Sequence, residues 1–257
     1  MKTTGAYKIW RIIYPIGIYY VVSSLAYFFL TLLLGAGGES YMLRQMLCAA
    51  ATIPFVWMHY GQDRAARETV YGRRGIRPDA RFFCTVAGAL LAGASLGMAV
   101  NNVIAMTPLI EASAGFQSAN QAFFAGGVVF ELLGSCLVIP LAEELLYRSY
   151  LMVTIARRYS MTVAVLISAV IGALPYAAGA VEAPLAFLNG MLFGIFAALY
   201  LIRRGNIWGI GAFHAAWSFV RDIVFGTPDQ VATAVVLLVG MILVGGKRPW
   251  GKAESCC

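Results

Sequence analysis

Charge is what this sequence has least of. Only 12% of its 257 residues are Asp, Glu, Lys or Arg, against 60% hydrophobic. A soluble domain carries roughly twice that charged fraction. With a mean hydropathy of +0.76, water is excluded as the solvent for most of the surface, and lipid takes its place. Histidine is almost absent: there are two, His59 and His214. Cysteine is scarce, with five residues, no CxxC pair and no zinc-site spacing, which excludes a disulfide framework. Cys48, Cys84 and Cys136 fall in apolar stretches and read as small core residues; Cys256 and Cys257 stand at the end. There is no HExxH, so the helical zinc-protease site is missing, and no metal or organic cofactor is expected. No repeat, linker or soluble domain interrupts the chain, which reads as a single transmembrane domain over residues 1–257. The net charge of +7 is dispersed between apolar segments rather than gathered in one patch. Nucleic acid is therefore not an expected partner, and the bilayer is.

What is present in quantity is apolar sequence. Eight stretches, about 12–34, 41–58, 82–106, 121–142, 161–181, 183–202, 206–225 and 229–246, each approach the ~20 residues a helix needs to cross a bilayer. Lipid offers backbone groups no partner, so the expected fold is all-α, a polytopic bundle of about eight transmembrane helices. The first stretch is too long for a cleaved signal and reads as a retained span. Arg64, Arg67, Arg73, Arg74, Arg77 and Arg81, then Arg157 and Arg158, Arg203 and Arg204, and Lys247, Arg248 and Lys252 all fall on one side if the spans alternate. The opposite loops carry mainly Glu39, Glu111, Glu182, Asp222 and Asp229. The positive-inside rule then puts both termini in the cytoplasm. Arg44 and Arg221 break the pattern near span ends, where long side chains snorkel. Small residues at helix-packing spacing, Ala89, Gly93 and Gly97, and Gly190, Gly194 and Ala198, read as close helix contacts.

Against this background the stretch "IPLAEELLYRSY", residues 139–150, stands out. It sets Glu143, Glu144 and Arg148 inside an apolar region, and an ionisable residue in a span costs several kcal/mol unless paired or wet. Glu144 and Arg148, four apart on a helix, are in the favourable order for an ion pair. Glu143 is turned away by one residue and keeps a carboxylate free. Pro140 removes a backbone hydrogen bond three residues earlier and is expected to distort the helix. His214 lies ten residues past Arg204, roughly 15 Å into the membrane at 1.5 Å per residue, and Glu143 fifteen before Arg158, roughly 22 Å by the same rule. The two are expected to share a site, whereas His59 reads as interfacial. A carboxylate and an imidazole in a low-dielectric pocket orient and activate water, which describes hydrolysis without a covalent intermediate.

The segment "PLAEELLYR" resembles the EExxxR motif of the CPBP intramembrane proteases, the group containing CAAX prenyl endopeptidases and bacterial bacteriocin-processing or Abi proteins. The opening "IWRIIYPIGIYYVVS" also looks like small bacterial members. The resemblance implies a CAAX protease-like core at about 121–225 and a multi-pass protein of a bacterial plasma membrane. It implies an endopeptidase acting on a small peptide or a protein tail, with or without a lipid. By the same resemblance Glu143 is the water-activating base, with Glu144 and Arg148 beside it. His214 maps onto the late histidine, and Ser218 stands where an asparagine usually follows. The middle FxxxH motif falls in "SAVIGALPYAAG", where Gly172 takes the place of the Phe and Tyr176 that of the His.

Those departures leave two alternatives to an active protease. One is a degenerate member that keeps the pocket and acts as a membrane scaffold or immunity protein. The other is a transporter, since carboxylates in spans also carry protons and cations, although no inverted repeat or matching pair of broken helices is visible.

Overall fold

The computed structural model describes residues 5–35, 41–61, 79–106, 128–178, 183–204, 206–223 and 229–245. Among them the chain is helical throughout, without a strand. Eight helical rods follow in order: α1 Gly5–Leu34, α2 Tyr41–Gly61, α3 Ala80–Ala105, α4 at 128–156, α5 Met161–Ala173, α6 Ala183–Arg204, α7 Ile207–Ile223 and α8 Gln230–Gly245. The expected all-α bundle is what forms. The stretches Ile13–Leu34, Phe82–Ala105 and Pro184–Arg203 are each long and apolar enough to cross a bilayer. Met161–Tyr176 and Gln230–Gly245 are shorter apolar helices. Residues 121–127 and 179–181, most of the basic segment 59–81, Glu39, Glu111, Glu182, and Cys256 and Cys257 lie outside the described residues.

Local signals account for several helix ends. Asp79 caps α3, its Oδ1 accepting from the Phe82 N–H at 2.9 Å, and Ser160 does the same for α5 through the Val163 N–H at 3.3 Å. Asp229 accepts from the N–H groups of Val231 and Ala232 at the start of α8. Aspartate and serine compete for backbone donors, which is why they stop apolar runs rather than extend them. The turn after α4 falls at Arg157 and Tyr159, so α4 runs fourteen residues past the expected end of its span, through the charged motif.

The small-residue ladders mark two of the principal seams. On α3, Gly93 meets the backbone of Phe213 and Gly97 meets Trp217, both on α7. A methyl at Gly93 would sit 2.1 Å from the Phe213 carbonyl oxygen, so only a hydrogen fits. On α6, Gly190 faces Ala173 and Tyr176, and Gly194 faces Ala169 of α5. Without a hydrophobic drive between helices in lipid, such close backbone approach is what holds them. The core they enclose contains Leu96, Leu146, Tyr147, Leu151, Tyr200, Leu201, Phe213 and Trp217, all essentially inaccessible. By contrast α1 buries little of itself, with Leu32, Leu33, Phe28 and Phe29 on its surface; Pro15 and Tyr19 are the buried side chains among those described on it.

Two expectations need correction. Arg44 does not snorkel: it is buried, its guanidinium donating to the Gly35 carbonyl and lying 5.4 Å from the Tyr27 ring centroid. It ties the start of α2 to the end of α1, where Gly35 takes a φ of 79° that a larger residue resists. Of the cysteines read as core, only Cys48 is buried; Cys84 is exposed and Cys136 half-buried. The apolar faces turned to lipid and to the interior are compositionally alike, so hydropathy alone cannot sort them.

Gly93→Ala is expected to separate α3 from α7 and to destabilise the protein by about 1–3 kcal/mol. Gly211→Ala, where nothing lies within 4 Å of the added methyl, should be neutral or mildly stabilising. Thermal unfolding of the two variants in detergent separates the cases.

Candidate active site

The site is built on an irregular helix. α4 passes through a π segment at Gly134–Val138, an α segment at Ile139–Glu144 and a second π segment at Leu145–Met152 before closing as α-helix at Val153–Ala156. Pro140 has no N–H to donate and its ring crowds the preceding turn. The distortion expected there takes the form of the first π turn, whose Ile139 N–H reaches back to the Gly134 carbonyl. Wide π turns are rare and gather at functional sites, because they re-aim side chains relative to a regular helix. Here Glu143 and Glu144 end the short α segment between the two π segments. All eight residues of the second π segment are buried.

The structure brings four of the six expected side chains into one constellation. Glu144, fully buried, uses a single oxygen twice: Oε1 lies 3.3 Å from Arg148 Nη1 and 2.8 Å from His214 Nδ1. Glu143 Oε2 stands 4.0 Å from His214 Nε2. The imidazole therefore lies between the two carboxylates, bonded to one and facing the other. Glu143 is the more open of the pair, its side chain 13% exposed against 0% for Glu144. With Glu144 accepting at Nδ1, the ring proton is held on that side, and a neutral imidazole presents a lone pair at Nε2. A water bridging Nε2 and Glu143 fits a gap too long for a direct bond.

Arg148 is held as tightly as its partner. Its side chain is 2% exposed. The guanidinium lies 5.0 Å from the Phe193 ring centroid and 5.8 Å from that of Tyr147. A methyl on Gly194 would meet Arg148 Nη2 at 2.9 Å, and one on Gly172 would meet Nη1 at 3.6 Å. The glycines of α5 and α6 thus make the slot that admits a guanidinium into the core. Gly172, the residue standing at the Phe of the middle motif, has this packing role. Phe193 also packs on His214, the two rings tilted with centroids 4.2 Å apart, and so braces both partners of Glu144.

The other two expected residues sit at the margin. Tyr176 lies on a 3₁₀ turn, Leu174–Ala178, against Gly190, with the Arg221 guanidinium 5.9 Å from its ring centroid. Arg221 is near enough for its charge to reach Glu143. Ser218 is buried on α7, one turn beyond His214. His59 lies on α2.

A polar chain that the sequence reading missed anchors the same region. Trp217 Nε1 donates to Asn189 Oδ1 at 3.0 Å, Asn189 Nδ2 to Asn101 Oδ1 at 3.3 Å, and Asn101 Nδ2 to the Val220 carbonyl at 3.4 Å. It links α3, α6 and α7 within the two turns that follow His214. The available signal was two amides, Asn101 and Asn189, inside otherwise apolar spans, where polar side chains bond across helices. Among the described residues no group of three or more His, Cys, Asp or Glu side chains is arranged to hold a metal ion.

Residues 125–220 match the family model for Rce1-like proteins, described as type II CAAX prenyl endopeptidase Rce1-like. The matched segment runs from before α4 to the end of the polar chain on α7 and includes Glu143, Glu144, Arg148, Tyr176, His214 and Ser218. No curated protein matches the chain. No solved structure matches it either.

Arg148→Ala would leave Glu144 buried beside an imidazole alone, a loss of about 3–5 kcal/mol. The melting temperature in detergent should drop by an amount on the order of 10 °C. The paired change Glu144→Gln with Arg148→Met removes both charges and should recover most of that loss; failure to recover any would mean the guanidinium is needed for packing rather than charge.

Proposed function

We propose that this chain, a multi-pass membrane protein of the CAAX protease-like family, is an intramembrane endopeptidase that hydrolyses a peptide bond with water activated by Glu143. The observation that carries the reading is the placement of His214 between the two carboxylates, bonded to Glu144 and 4.0 Å from Glu143. Glu144 and Arg148 form the fixed charge pair, and Glu144 holds the His214 tautomer. That arrangement leaves Glu143 as the carboxylate able to take a proton.

The reaction follows from these roles. A water held between Glu143 and Nε2 loses a proton to the Glu143 carboxylate while its oxygen adds to the peptide carbonyl carbon. The carbonyl oxygen then carries the charge and takes hydrogen bonds from the polar groups around it, with Tyr176 and Ser218 as candidate donors. Collapse of the tetrahedral intermediate breaks the C–N bond, and the proton on Glu143 passes to the departing amine. No group on the enzyme is acylated.

The substrate class this favours is a short peptide or a protein tail reaching the site from the cytoplasm or the bilayer. A prenylated C-terminal tail is the first to try, given the activity for which the matched family is described. With both termini in the cytoplasm, as the charge distribution favours, α4 descends toward Arg157 and Arg158 and places Glu143 below that surface. The missing middle histidine and the serine at 218 support a second reading, a member that keeps the pocket and binds without cutting. The two differ in what Glu143 is needed for.

Glu143→Gln should abolish product, lowering the rate by at least about 100-fold, with expression and folding intact. The measurement is a survey of peptide termini in membranes from cells making the wild type or the variant. Termini specific to the wild type identify a protease and its substrate together. Matching profiles from two well-folded proteins would replace hydrolysis with binding.

A further inference from the structure

α1 stands outside the segment that matches the family model and turns most of its surface outward; one edge is different. Tyr19 is buried and Tyr20 half-buried, and both face Tyr147 on α4. The Tyr20 and Tyr147 hydroxyls are 3.1 Å apart. The Tyr19 ring packs edge-on against both, at centroid distances of 5.6 Å to Tyr20 and 6.2 Å to Tyr147. Tyr147 follows Glu143 by four residues, one helical turn toward Arg157. Its ring lies over Gly172, where an added methyl would be 3.4 Å away, and its side chain is fully buried. All three tyrosines are near enough to Glu143 to feel its charge.

The hydrogen-bond direction follows from burial. Tyr147 is completely enclosed, and the partner its hydroxyl shows is Tyr20. A buried hydroxyl keeps its proton bonded, so Tyr147 donates and the Tyr20 oxygen accepts. The Tyr20 proton is then directed away from Tyr147, and a phenol that accepts one bond donates the next more strongly. Among the described residues, the charge that reaches Tyr20 is that of Glu143.

We infer that Tyr20, oriented by Tyr147, donates a hydrogen bond into the Glu143 centre and is received there by the carbonyl oxygen of the bound peptide or, before it arrives, by the attacking water. This rests on the hydrolytic reading above. Tyr20 is then a catalytic residue supplied by a helix outside the matched core, and Tyr147 a positioning residue. The pair provides a donor where the middle motif of this chain has no imidazole.

The experiment uses the full chain in lipid nanodiscs, with Tyr20→Phe, Tyr147→Phe, the double variant and Tyr14→Phe, an exposed α1 tyrosine, as control. Cleavage of an internally quenched peptide bearing a prenylated C-terminal tail is the first readout. Tyr20→Phe should lower kcat about 30-fold, within the range for losing one oxyanion donor, with KM changed less than about threefold. Tyr147→Phe should lose roughly 5-fold, and the double variant no more than Tyr20→Phe alone, because one residue acts through the other. The second readout needs no turnover. Dicyclohexylcarbodiimide adds the O–H of a protonated carboxyl across its C=N bond, giving an O-acylisourea that rearranges to a stable N-acylurea seen by mass spectrometry. With the phenol donor gone, Glu143 should label about threefold faster at pH 7, and Tyr14→Phe should label as wild type. If wild type does not cut the peptide, the hydrolytic reading of this substrate class fails, and labelling alone decides the fate of Tyr20. Unchanged Glu143 labelling in Tyr20→Phe, or unchanged kcat where cleavage is seen, overturns the proposal.

Discussion

A carboxylate with no exposed surface, Glu144, governs how the central helices are arranged. It is held by a guanidinium on its own helix and an imidazole from α7. A buried charge of this kind is tolerable only when its partners are fixed in place, since removing one leaves the other uncompensated. That requirement reaches outward. Arg148 needs a slot, which Gly172 and Gly194 leave open by lacking side chains. His214 needs its helix at a set height, which the Asn101–Asn189–Trp217 chain and the Gly93–Phe213 contact maintain. Phe193 lies against both partners at once.

The same constraint separates two adjacent residues of one chemical type. Glu143 and Glu144 are neighbours in sequence, yet one is wholly enclosed, its Oε1 shared by a guanidinium and an imidazole, while the other retains some exposure beside an imidazole nitrogen. Two carboxylates with one role each is a common way to obtain fixed electrostatics and a mobile proton from identical groups. The π turns on either side of the pair re-aim the two side chains relative to a regular helix. α1 stands differently toward the centre. It meets the core of α4 through a small aromatic edge, and few of its described side chains are fully buried.

Much of this was legible in order of residues. The eight apolar stretches located the helices because hydropathy reports directly on the solvent, but they missed the end of α4, which runs fourteen residues on through the charged motif. The i, i+4 pair of Glu144 and Arg148 was legible because both lie on one helix, where spacing is geometry. The meeting of Glu143 with His214 rested on a depth estimate that differed by several ångströms between the two helices. π turns climb less per residue than α turns, which brings the two depths closer. Nothing in the spacing of residues 134–152 announces a π turn, since the extra residue is absorbed by packing rather than by a sequence signal.

The sequence by itself determined the solvent, the helices, the charge pair within α4 and the residue types available for chemistry, because each depends on composition or on neighbours along one rod. Only the tertiary structure decided that Glu144, rather than Glu143, takes the short bond to His214, that Gly194 serves a guanidinium as well as a helix, and that Tyr20 meets Tyr147 across 127 positions of chain. Those outcomes depend on the rotation and height of separate helices. Rotation and height are set by which small residues let two backbones touch, and that information is shared between segments and carried by neither alone.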